Sequence, residues 1–568
     1  MDTGRPPVAV AGGGHWRDEM PGWAVTLALL AVPLLFLTVF LAYPLQGIVR
    51  ESFFRAGSSL SDLRPLVQDS YFLERAWFTL WQAVVSTLLT LLLALPCAYV
   101  IARYEFRAKS LVLAVVTVPF VLPTIVVAVA FTALLGPQGT LNDVLQRLFG
   151  LDQPPIRLVN TVWIILMAHV FYNFAVASRI IAAAWAGLDE RLEEASAVLG
   201  AGRTETFFRV TLPLLRPAIL AAASLVFLFC FTSFGVVLIL GGPQFNTIET
   251  EIYRETIFLF RLPLAATLAL LQIAFTFFVM LAYTGFQRST QGVGGHVSRA
   301  QGWSRRERGL VLSVVALMLV ATLLPLGALI ERSFHGASGY TFEFYRGLGQ
   351  NTRNSAVFVT PLAAIGHSLG FAALTLLLAV PLGTLAAYGS VRMRRHGAWV
   401  EALLLVPLGV SAVTLGLGFI VTLNRPPLDL RGTWLLLVIA HTLVAYPFVT
   451  RTVGVQLRGM DPHLREAARM LGANWWRVFM EVDLPLVWRS IAVGAVFAFA
   501  VSMGEFGATL LISRPEWATM PIAIFRSLGR PGAANYGQAL AMSTILMCVT
   551  TAGFILIDRL RYREIGTF

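Results

Sequence analysis

The chain has 568 residues, 57% of them hydrophobic and 13% charged, with a mean hydropathy of +0.72; an average soluble domain carries about 25% charge, so there are too few polar groups here to clothe a water-soluble fold of this size. The net charge of +12 rests almost wholly on arginine, Lys109 being the single lysine, and the arginines are scattered through short segments with no long stripe for nucleic acid. An integral membrane protein of all-α, polytopic class is what remains.

From the N-terminus, residues 1–22 are polar and rich in Gly and Pro and read as a cytoplasmic tail without fixed structure. The apolar run after it is too long for a signal-peptide core and has no obvious cleavage site. Runs long enough to cross hydrocarbon lie near 23–46, 78–102, 111–135, 158–183, 218–241 and 262–284, and again near 309–331, 363–389, 398–422, 432–455, 491–513 and 536–557. That is about twelve transmembrane helices. Pro96, Pro119, Pro123, Pro381 and Pro407 fall inside them and predict kinks, because neighbouring helices can satisfy the freed carbonyls. Cys97, Cys230 and Cys548 sit in apolar runs and read as packing residues.

Arginine placement sets orientation. With the N-terminus inside, the segments holding Arg103, Arg107 and Lys109, Arg191, Arg203 and Arg209, and Arg392, Arg394 and Arg395 all become cytoplasmic. The tail with Arg559, Arg561 and Arg563 does too, so both termini are expected in the cytoplasm. The outer segments 47–77 and 332–360 carry mixed charge. Residues 288–308 are small, polar and basic, and read as a cytoplasmic linker between a first lobe, 23–287, and a second, 309–568.

The lobes are copies. Shifted by 272 residues, the segment from Asp189 lies on the segment from Asp461 with 12 of 26 positions identical and no gap, where chance gives roughly one to three. His169 then matches His441, and Phe234-Gly235 matches Phe506-Gly507. Two parallel six-helix repeats imply a pseudo-two-fold axis along the membrane normal, with a path between the lobes. The matched segments, 189–217 and 461–489, describe a short helical hairpin. Asp189 and Asp461 are N-caps, and Gly200 and Gly472 supply left-handed C-caps. A second helix carrying Phe207 or Phe479 is expected to end at Leu212-Pro213 or Leu484-Pro485. The first hairpin helix is too polar to cross a membrane; it either lies inert at the surface or presents a contact.

The pattern from Glu194 to Pro213, repeated from Glu466 to Pro485, resembles the cytoplasmic coupling loop of permeases in binding-protein-dependent ABC importers. The resemblance implies that Glu194, Ala195, Gly200 and Ala201, with Glu466, Ala467, Gly472 and Ala473, form two loops that dock on two copies of an ABC ATPase. It further implies an extracytoplasmic solute-binding protein as partner and a bacterial inner-membrane location. Fused two-lobe chains of this kind resemble permeases for thiamine or for ferric iron. The segments Met167–Ile180 and Phe229–Glu255 are most similar to the thiamine type.

No G-x-x-x-x-G-K-[ST] loop is present, so ATP and Mg are expected on a separate subunit, with no enzyme activity and no cofactor on this chain. His169, His441 and Glu505 are polar groups within spans, and such residues are candidates for the path. Each could equally make a bond between helices. The repeat partner of Glu505 is Ser233, so any role for it is asymmetric. An ion-coupled secondary transporter is the alternative of another class. It would need more mid-membrane ionisable groups than these three, and it leaves the duplicated loop unexplained.

Overall fold

The computed structural model describes residues 22–53, 69–291, 301–302, 307–336, 339–350, 359–393, 397–426 and 428–565. Most of the predicted tail and linker, together with Arg55, Asp62, Arg64, Arg394 and Arg395, therefore lies outside the described residues. Among those described, eleven helices are long and apolar enough to cross a membrane. A further span is assembled from pieces: Gly397–Leu404, a 3-10 turn Val406–Gly409, and Ala412–Thr422. Large apolar side chains such as Leu92, Phe278 and Leu377 are exposed around the outside, a surface suited to lipid and not to water.

The break in that span recurs in the first lobe, where Lys109–Val121 stops and Thr124–Leu135 begins. Leu122 is held extended ahead of Pro123, as the proline ring demands. In the second lobe Val410 is extended instead because Ser411 caps the next helix, its hydroxyl accepting from the Thr414 N–H at 3.1 Å. Pro96 and Pro381, by contrast, sit inside unbroken helices, Ser70–Arg103 and Pro361–Arg392.

The repeat holds at the level of elements. Glu190–Val198 and Pro462–Met470 are 272 residues apart at both ends, as are Gly235–Leu240 and Gly507–Ile512. Earlier in each lobe the spacing differs: Thr124 and Ala412 start equivalent helices, and 412 less 124 is 288. The first lobe spends its extra length on an amphipathic helix, Thr140–Phe149. Buried Asn142 fastens it by donating to the carbonyls of Gly136 and Ile156 and accepting from the Ile156 N–H, at 2.8 to 2.9 Å.

The first helix of each repeat crosses to the other lobe. Val25–Phe53 packs on Pro361–Arg392, and Arg308–Ser333 packs on Thr124–Leu135 and Lys109–Val121. Small residues permit the approach: a Cβ on Gly418 would stand 2.9 Å from Pro44. Arg332 secures the second crossing by pairing with Asp143. One continuous apolar core runs through both lobes as a result.

Candidate functional site

Each hairpin begins with an aspartate cap. Asp189 accepts from the Arg191 N–H and Asp461 from the His463 N–H, both at 3.0 Å. The Asp461 carboxylate also bonds the His463 ring at 2.6 Å and holds its imidazole above the usual histidine range. Gly200 and Gly472 end the short helices at φ +88° and +86°. The N–H of Ala201 reaches the Ser196 carbonyl and that of Ala473 the Ala468 carbonyl, both at 3.1 Å, closing a Schellman turn in each lobe. A Cβ at either glycine would meet nothing within 4 Å, so backbone conformation alone favours glycine there.

Glu194, Ala195, Glu466 and Ala467 are exposed on these helices. The tips are more unusual. Val198 and Leu199 are each 87% exposed, and Met470 and Leu471 are 88% and 89% exposed. Bulky apolar side chains held outward on a polar hairpin, twice, make a surface that gains by being covered.

The underside of each hairpin keeps one contact with inverted chemistry. Glu193 accepts from the Thr211 hydroxyl at 2.9 Å and pairs with Arg103. Its image Arg465 donates to Asp483, the image of Thr211, at 2.7 Å.

Beyond the hairpin, the second helix does not stop at the proline. Phe207–Thr211 and Val478–Asp483 are π turns, in which Leu212 N–H reaches Phe207 O and Leu484 N–H reaches Phe479 O. The wider turn makes room for the rings of Pro213 and Pro485, which then open the next helical segment. The hairpin is thereby continuous with a long span, Arg203–Phe231 or Trp475–Gly504.

Both of these spans break near their far ends. Between Phe231 and Gly235, and between Gly504 and Gly507, the chain turns before a short helix begins. Phe234 and Phe506 sit at the breaks with ring centroids 5.6 Å apart. Tyr253 packs on Phe234 at 5.5 Å and its image Phe525 packs on Phe506 at 5.5 Å, so four rings form a chain across the lobes. On the hairpin side of these rings lies a cavity of about 400 Å³. The broken third spans and the fifth span of each lobe wall it, with Pro123 and Phe229 on one side and Ser411 and Val501 on the other.

His169 and Glu505 line this cavity; His441 is not in its lining and stands 3.6 Å from the Glu505 carboxylate. Both histidine rings are held between hydroxyls. His169 bonds Ser86 at 3.0 Å and Ser233 at 2.8 Å, and His441 bonds Ser502 at 2.8 Å and Thr509 at 2.9 Å. These are bonds between helices. Glu505 accounts for the second-lobe break: its carboxylate accepts from the N–H groups of Ala508 and Thr509, both at 2.9 Å, and so caps the short helix Gly507–Ile512. Among the described residues no three His, Cys, Asp or Glu converge as a metal site.

The sequence profile of the family described as "Binding-protein-dependent transport system inner membrane component" matches residues 91–292 and 379–564. The chain belongs to this family. Each matched stretch holds one hairpin and two broken spans, so the permease carries the family unit twice. It is 28% identical over 496 residues to the thiamine transport system permease protein ThiP of Brucella abortus (strain 2308), with 86% of this chain and 88% of that one covered. It is 29% identical over 521 residues to the ThiP of Escherichia coli (strain K12), covering 88% and 91%. A putative 2-aminoethylphosphonate transport system permease protein, PhnV of Salmonella typhimurium (strain LT2), matches at 28% over 46% of this chain and 97% of its own. A single lobe is thus a whole protein in that relative.

One charged residue of the site has no counterpart among the sequence-based candidates. Glu249 lines the cavity of the permease from the helix Ile248–Ile257, which is buried between spans expected at 218–241 and 262–284. It accepts from Gln272 and faces Ser411 and the Val413 N–H of the other lobe. The signal was available: Thr247 is a good cap, and Ile248 and Ile252 repeat at helical spacing among Glu249, Glu251 and Glu255.

Proposed function

We propose that the chain supplies both lobes of the translocation core of an ATP-driven importer and that its solute is thiamine. The observation that carries the reading is the paired arrangement: two exposed apolar hairpins, each continuous with a helix that ends at the Phe234–Phe506 contact. In this account the hairpin face and both termini are cytoplasmic, and one copy of a separate ATPase covers each apolar tip. ATP-driven approach of the two ATPases draws the hairpins together. Each long span carries that displacement as a rigid rod, roughly 1.5 Å of rise per residue, to the break at its far end. There it parts the two phenylalanines, and a binding protein on the outer face releases solute into the cavity. ATP binding selects between two arrangements of the lobes, and hydrolysis restores the first. The crossed first helices keep the lobes joined throughout.

Thiamine is preferred because the relatives that match along most of both lobes carry that solute in their names. The test is uptake of labelled thiamine by proteoliposomes holding the permease, its ATPase and its binding protein. The proposal expects uptake that needs internal ATP and external binding protein. Uptake of ferric iron in place of thiamine would replace the solute, and ATP-independent uptake driven by an ion gradient would overturn the importer.

A further inference from the structure

The chemistry lining the central cavity is one-sided. Among the described residues that line it there is no Lys or Arg, while two carboxylates, Glu249 and Glu505, reach it from opposite lobes. Its walls are aromatic on both sides. Phe120 lies 6.0 Å from Tyr172 and 5.9 Å from Phe229 in the first lobe, and Phe448 stacks on Phe497 at 6.3 Å in the second.

The two carboxylates differ in what occupies them. Glu505 spends its oxygens on the N–H groups of Ala508 and Thr509 and on the Thr509 hydroxyl, all within its own lobe. Glu249 is 1% exposed; Gln272 donates to it from its own lobe, and Ser411 and the Val413 N–H face it from the other, on a carboxylate that offers about four lone-pair sites. A second observation is independent of either carboxylate. Asn173 lines the cavity, is 1% exposed, and donates its amide to the His169 carbonyl at 3.0 Å, yet its Oδ1 has no hydrogen-bond partner. The amide oxygen of Gln272, which bonds Glu249 through its Nε2, is likewise unpartnered. Buried acceptors without donors are costly, so a cavity lined this way favours a ligand that brings N–H groups.

We infer that the cavity binds the solute itself in transit, and binds it as a flat aromatic cation bearing an amino group. Glu249 is its counter-charge, Asn173 Oδ1 accepts from its amino group, and the Phe120–Tyr172–Phe229 wall takes its ring. The cavity volume suits a small solute, and aromatic faces attract a cation most strongly where water is excluded. Location in the path rests on the importer reading given above; the ligand chemistry rests on the lining.

The experiment is equilibrium binding of labelled thiamine to the purified full chain in lipid nanodiscs, without ATPase or binding protein, beside 4-amino-N-methylpyridinium as a second aromatic cation. Thiamine should bind the wild type, and Glu249→Gln should weaken it about tenfold or more, the loss expected of a hydrogen bond to a charged group. Asn173→Leu and Phe229→Leu should each weaken it severalfold, and they serve as the test if Glu249→Gln lowers the melting temperature. Binding of only the pyridinium, still dependent on Glu249, keeps the site and removes thiamine as the solute. Binding of thiamine with equal affinity in all three variants overturns the site. So does binding of neither cation, even if proteoliposomes still import thiamine; the proposed function then stands without it.

Discussion

Phe234 and Phe506 hold the same position in the two repeats, and their rings touch, centroids 5.6 Å apart. A residue that touches its own image lies on the axis relating the copies. In the proposed importer the path between the two parallel repeats runs along that axis, which sets these rings across it, with the cavity on the hairpin side. Both are buried, at 7% and 3% exposure.

Removing the rings should open the far side. With the native cysteines replaced, Ser233→Cys lies just behind the pair and should resist a membrane-impermeant maleimide added from outside. In a Phe234→Ala/Phe506→Ala background it should label readily. Each buried Phe→Ala change should also cost about 3–5 kcal/mol, visible as a lower melting temperature. Unchanged labelling in a folded double variant would show that the barrier lies elsewhere.

The hairpin tips should matter for assembly and not for folding. Val198→Asp/Leu199→Asp or Met470→Asp/Leu471→Asp alters side chains that touch almost nothing in the chain. The melting temperature of the isolated permease should stay within the range of ordinary surface changes, about ±0.5 kcal/mol. Recovery of the ATPase on co-purification should fall for each pair and vanish for both.

Gly200 and Gly472 should be separable from their surroundings by comparing two replacements. Alanine at φ +88° or +86° should cost about 1–2 kcal/mol, the penalty of a left-handed L-residue, and should raise hydrogen exchange at Ala201 or Ala473. Asparagine tolerates this conformation better and should restore most of the protection. Equal behaviour of the two would mean that the turn is not what holds the hairpin.

The inverted contact beneath the hairpins yields a rescue experiment. Glu193→Arg sets a second arginine against Arg103 and leaves Thr211 without its acceptor. Adding Thr211→Asp rebuilds the pair that Arg465 and Asp483 make in the other lobe. The single variant should lose on the order of 1 kcal/mol, modest because the groups are partly solvated. The double variant should recover stability by more than the two changes summed, as a double-mutant cycle would measure.

Much of this was legible in the sequence. Hydropathy gives the spans, and the 272-residue register aligns the starts of the helices from Glu190 and Pro462 onward to within one residue. Hairpin caps are local chemistry and could be read directly. What could not be read depends on the other lobe or on backbone detail. The crossing of Val25–Phe53 to the second lobe leaves no local mark. Neither does the π turn that carries the helix past Pro213, where the rule for residues before proline predicts a stop. The break at Phe506 was hidden because Glu505 looks like a charge within a span; its carboxylate is in fact the cap that ends one helix and starts the next. Glu249 escaped because its segment looks too polar for a span, yet it folds back into the interior as a short buried helix.

The central claim is that two hairpins couple an ATPase to one path on the pseudo-two-fold axis. Its most direct test is the ATPase rate of the reconstituted complex, with and without thiamine-loaded binding protein, for wild type and for Glu194→Ala/Glu466→Ala. The account predicts stimulation by the loaded protein in the wild type and its loss in the double variant, with the isolated permease as stable as before. A double variant stimulated as strongly as wild type, or a wild type indifferent to the loaded protein while still importing solute, would contradict it.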